Sequence, residues 1–223
     1  MRHDLTLVFL ILLFACDSKA ASKPHVVSFG KWTSVKWMVG TDENTALDLK
    51  VRAIYVDSRL EEFTLGVPHD VTDRLFVVQR AFRLNDTLPA ESASPARWQW
   101  QRGGWMLVDR MSGHISQLNL PEFDAYYSIA NWYRDYSAYC GVSDDGKKVF
   151  AVVAQLGRRK PILKKALGDT DADGDPNCAG PSWQRKPARV TFSSKQEEQF
   201  TYAVHGHAVD VIPAEREEDS GTQ

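Results

Sequence analysis

Leu47–Asp57 reads LDLKVRAIYVD. Leu47, Leu49, Val51, Ala53 and Tyr55 alternate with Asp48, Lys50 and Arg52. A period of two puts the first set on one face of a strand and the second on the other. Ser58-Arg59 turns the chain, and Leu60–Gly66 (LEEFTLG) reads as the return strand. The same theme recurs downstream. Ile54–Asp57, Met106–Asp109 and Phe150–Val153 each end a strand, meet a short turn and return through an apolar segment. The expectation is an all-β chain of antiparallel hairpin repeats.

Outward from that stretch, Val26–Val39 alternates aromatic and polar residues, with Trp32 and Trp37 as large anchors. Leu75–Val78 and Arg97–Asp109 are further strands, the latter interrupted by Gly103-Gly104. Asn85–Ala96, rich in Pro, Ser and Ala, is the candidate internal boundary. Phe123–Tyr139 carries six aromatic tyrosine and tryptophan positions, which suit either one helical face or an extended loop. Tyr139–Val142, Val149–Leu156 and Pro161–Leu167 supply three more strands. Pro181–Pro187 reads as irregular, and Ala188–Phe192 with Gln199–Ile212 reads as a final hairpin. A single β-rich domain over 21–213 and a disordered tail over 214–223 follow.

The 223 residues are 43% apolar and 25% charged, which excludes wholesale disorder. A net charge of −2 argues against a nucleic-acid partner, because neutralising phosphates needs a basic face.

Leu5–Ala15 (LTLVFLILLFA) is too short to span a bilayer and has the length of a signal-peptide core, so residues 1–20 read as a signal peptide. Leu13-Phe14-Ala15-Cys16 resembles the bacterial lipobox, with Phe14 bulkier than the pattern prefers. That resemblance implies lipidation at Cys16 and a membrane-anchored lipoprotein of a bacterial envelope. Conventional cleavage after Ala20 implies a periplasmic protein instead. Either cut leaves Cys140 and Cys178, and an oxidising compartment favours a disulfide between them.

Ser143-Asp144-Asp145-Gly146-Lys147-Lys148 before an apolar strand resembles the inner-strand turn of β-propeller repeats, over about residues 100–165. The resemblance implies a propeller-like arrangement. A β-sandwich or an open barrel is the alternative.

Asp169, Asp171, Asp173 and Asp175 alternate around Gly174. The spacing resembles the first half of an EF-hand-like calcium loop, although the twelfth position is Gly180 and not a bidentate Glu. Calcium is therefore the one candidate cofactor, against a solvated acidic loop. His205 and His207, at i and i+2, are a weaker metal pair that needs a third ligand. Trp98, Trp100 and Arg102 fall on one strand face, with Trp105 beyond the glycines. Such a row stacks sugars or a partner's apolar side chains, or else it is core. Nucleophile elbows, phosphate loops and dinucleotide fingerprints are absent from the sequence, and Glu61-Glu62 or Asp144-Asp145 point to opposite faces of a strand. The leading expectation is a non-enzymatic, exported binding or scaffolding protein with a glycan or protein partner. The alternative is an envelope hydrolase or carbohydrate-active enzyme with residues assembled from several loops.

Overall fold

The structure, a computed structural model, describes residues 23–37, 46–85, 98–171, 178–194 and 199–212. Among the described residues the chain is all β, with no helix. The strands are β1 (Val27–Phe29), β2 (Thr33–Trp37), β3 (Leu47–Val56), β4 (Arg59–Asp70), β5 (Leu75–Asn85), β6 (Trp98–Asp109) and β7 (Ile115–Leu118). They continue as β8 (Asn131–Tyr133), β9 (Tyr136–Val142), β10 (Lys148–Gln155) and β11 (Leu163–Asp169), then β12 (Cys178–Gln184), β13 (Arg189–Ser194), β14 (Gln199–His205) and β15 (Ala208–Ile212).

The first seven strands form one sheet that closes on itself. β2, β3, β4, β5 and β6 run up and down in chain order, each antiparallel to the next except at the closure. An odd number of alternating strands must bring the last alongside the first in parallel. It does so through one bridge, Trp37 opposite Trp100. β1 continues the β2 edge along β3, and β7 covers the rest of β6. The result is a small, barrel-like sheet, whose interior is narrow enough for side chains to fill. Two apolar clusters belong to it: Ile54, Phe76, Val78, Met106 and Val108 in one, and Val51, Leu65 and Ala81 in the other. The alternation of Leu47–Asp57 therefore holds from Leu49 to Ala53, while Leu47 at the start of β3 is exposed. Beyond it, Ile54 (0% exposed) and Val56 (8%) are buried too, because this end of β3 is covered on its second face as well.

β8–β11 and β12–β15 are two four-stranded antiparallel meanders. The first lies between the other two sheets. Ala138, Cys140, Ala151 and Val153 face Val190, Phe192, Tyr202 and Val204 of the last sheet. Tyr139, Val152 and Ala154, one residue out of phase, face Val77 and Trp105 of the first. A strand buried on both faces reads as a continuous apolar run, which is what YCGV and VFAVVA are. The stack is a layered sandwich whose first layer is barrel-like.

One open alternative is decided, and two local expectations are corrected. Phe123–Ala130 is a turn-rich loop without helical structure, pinned where Asp124 accepts the Tyr126 N–H at 2.7 Å. Pro181–Gln184 belongs to β12 and not to irregular chain, since Ser182 and Trp183 pair with Thr191 and Val190. Gln199–Ile212 is two strands, because Gly206 takes a left-handed φ of 56° and reverses the chain. The 85–96 boundary lies outside the described residues apart from Asn85 at the end of β5, and the tail and the signal segment lie wholly outside them.

Candidate functional site

The mouth of the barrel-like sheet holds a cavity of about 390 Å³. Val51, Ala53, Tyr55, Phe63 and Trp100 form its apolar lining. Lys31, Arg52 and Arg83 also reach it, and among the described residues no Asp or Glu lines it. Three cations among its described lining contrast with the net charge of the chain, −2.

The register explains how they meet. β5 pairs with β6 so that Arg83 stands opposite Trp100, and Phe63 of β4 stands opposite Ala81. The Arg83 guanidinium consequently lies 5.2 Å from the Trp98 ring, 5.5 Å from Trp100 and 5.7 Å from Phe63. Phe63 and Trp100 pack edge to face at 5.0 Å. Arg52 lies 4.0 Å from the Phe29 ring and 4.4 Å from Trp32. Burial lowers its pKa from the usual arginine value, and its Nε is buried without a hydrogen-bond partner. Among the described residues no carboxylate meets Arg52 or Arg83. Guanidinium keeps its charge at any ordinary pH, and its in-plane N–H donors suit a planar oxyanion. The mouth is thus a cationic, aromatic recess suited to an anion.

A second cleft, of about 570 Å³, lies at the β3–β4 turn and the β6–β7 hairpin. There His25 Nδ1 is 2.6 Å from Asp57 Oδ2, and the Val26 N–H donates to Asp57 Oδ1 at 2.9 Å. The Val26 bond first, then His25, lowers the Asp57 pKa. Gly113, at φ +67°, brings the hairpin so close that a Cβ there would lie 2.5 Å from Val56 Cγ1. Ser112 lines the cleft, but its hydroxyl accepts the His114 N–H at 3.3 Å, and among the described residues it shares no hydrogen bond with His25. The polar groups here are engaged in pairs, His25 with Asp57 and Arg59 with Glu61. That pairing leaves a larger cleft with less electrostatic purpose than the barrel mouth.

The remaining sequence candidates are scattered. Trp98 is 56% exposed and Trp100 lines the mouth, whereas Trp105 is buried 5.3 Å from Trp132 between the first two sheets. Arg102 turns from the row to donate to the carbonyls of Tyr126 and Ser128, at 3.2 and 3.1 Å. Cys140 and Cys178 form a disulfide joining β9 to β12. Asp169 ends β11 and Asp171 follows it, while Asp173 and Asp175 lie outside the described residues, as does Cys16. No group of three or more potential metal ligands occurs among the described residues. His205 and His207 sit on either side of the Gly206 turn and not on one strand face. His207 Nδ1 instead meets Gln155 Oε1 at 2.7 Å, and His205 Nε2 is 3.9 Å from Asp210. Sequence reasoning missed Arg52 and Arg83, whose meaning depends on strand register.

No family model matches the chain, and no curated protein or solved structure matches it.

Proposed function

We propose that this is an exported binding protein of the cell envelope, and that its ligand enters the mouth of the barrel-like sheet. The observation that carries the reading is the pair of ring-stacked arginines, Arg52 and Arg83, without carboxylate partners among the described residues, around one recess. Barrel mouths are recurrent ligand sites, and a few convergent polar groups in an apolar lining are their usual make-up. Export is supported by the Leu5–Ala15 run and by the Cys140–Cys178 disulfide. No helix among the described residues is long and apolar enough to cross a membrane. A lipid on Cys16 would supply the tether.

The test is tryptophan emission of the mature protein during titration with soluble envelope glycans and peptides. A saturable shift that disappears in Trp98→Ala is expected, and no shift with any member of the panel contradicts the reading. Mass spectrometry of the mature N-terminus tests the tether: a lipid-modified chain beginning at Cys16 supports it, and an unmodified chain beginning near Ala21 rejects it.

A further inference from the structure

We infer that the barrel mouth recognises an acidic saccharide, with a carboxylate held by the edge of Arg83 and a sugar ring laid against Trp98 and Trp100. The inference rests on the binding-site reading above and specifies its ligand. Two observations lead to it. First, Arg83 lies among three aromatic rings, and a guanidinium takes a carboxylate by two parallel N–H bonds. Arg52 lines the same recess and adds a second positive charge there. Second, the Trp98 ring is 56% exposed beside Arg83. An exposed indole offers a flat apolar face, and the C–H face of a sugar ring matches it. The cavity of about 390 Å³ accommodates a ligand of one or two sugar units.

The experiment is calorimetric titration of the mature protein with a glucuronate-containing disaccharide, with the same disaccharide as its methyl ester, and with sodium sulfate alone. The ester keeps the ring and removes the charge. The acid should bind about tenfold more tightly than the ester, as expected for charge-assisted bonds to one carboxylate. Arg83→Lys should abolish most of that difference, because an ammonium cannot present the two-bond edge. Arg52→Gln should weaken the acid independently. Circular dichroism confirms that each variant remains folded.

Equal affinity for acid and ester, or an unaltered acid affinity in Arg83→Lys, overturns the inference while leaving a binding site at the mouth. Sulfate binding as tightly as the disaccharide overturns the ring contact. Absence of any heat and of any tryptophan shift, with every saccharide, overturns both the inference and the reading beneath it.

Discussion

Arg83 shows what a residue's neighbours add to its identity. In sequence it is one of two cations in RAFRLN, with nothing to distinguish it from Arg80. In the structure Arg80 is neutralised by Glu62 at 3.0 Å, whereas Arg83 is stacked among rings. The row Trp98–Trp100 was legible because i and i+2 on a strand share a face. Its partners across the sheet were not, since register depends on pairing that periodicity does not encode. Asp109 is a second case. Hydrogen bonding by Arg74 first, and by the Met111 and Ser112 N–H groups, holds its pKa well below the usual carboxylate range. A carboxylate with a depressed folded pKa adds stability above its unfolded value, about 4, and loses it as pH falls further. Thermal unfolding between pH 7 and pH 3 should therefore show a flatter acid limb in Asp109→Asn than in the parent. Parallel curves would show that the Arg74 pairing contributes nothing to folding.

Among elements, β9 and β10 organise the molecule because both of their faces are covered. Their apolar runs were readable, although a short apolar run alone does not say what covers it. Gly206 was readable as a residue but not as a turn, so its flanking histidines looked like neighbours on one face. The packing of β9 and β10 against the last sheet makes a quantitative prediction. Phe192 is 0% exposed and packs 6.1 Å from the Tyr202 ring. Phe192→Ala should cost about 3–5 kcal/mol, by lost burial and the cavity left behind. Val211, 67% exposed on the outer strand β15, is the control, and Val211→Ala should change stability by less than about 0.5 kcal/mol. Urea denaturation of both variants measures the contrast. Similar costs at the two sites would mean that the last sheet is not packed as described.

At the scale of the whole molecule, three sheets are joined by apolar layers and, between the second and third, by Cys140–Cys178. The bridge was foreseeable from the signal-like run Leu5–Ala15 and the cysteine number. The layering was not, because which sheet covers which is decided by contacts far apart in the chain. Closing a loop of 38 residues should restrict the unfolded ensemble by roughly 4 kcal/mol in the entropy model. Cys140→Ser with Cys178→Ser should therefore lower the urea midpoint substantially, and dithiothreitol should do the same to the parent but not to the variant. An unchanged midpoint in both would show that the bridge does not contribute to stability.

The account stands most directly on the barrel mouth. The decisive measurement is the Nε–Hε nuclear magnetic resonance spectrum of the arginine side chains during titration with the glucuronate-containing disaccharide. The Arg52 and Arg83 signals should move together and saturate, while those of Arg59 and Arg74, paired with Glu61 and Asp109, stay in place. Saturable movement of Arg59 with Arg52 and Arg83 unmoved would put the ligand in the His25–Asp57 cleft and contradict the account.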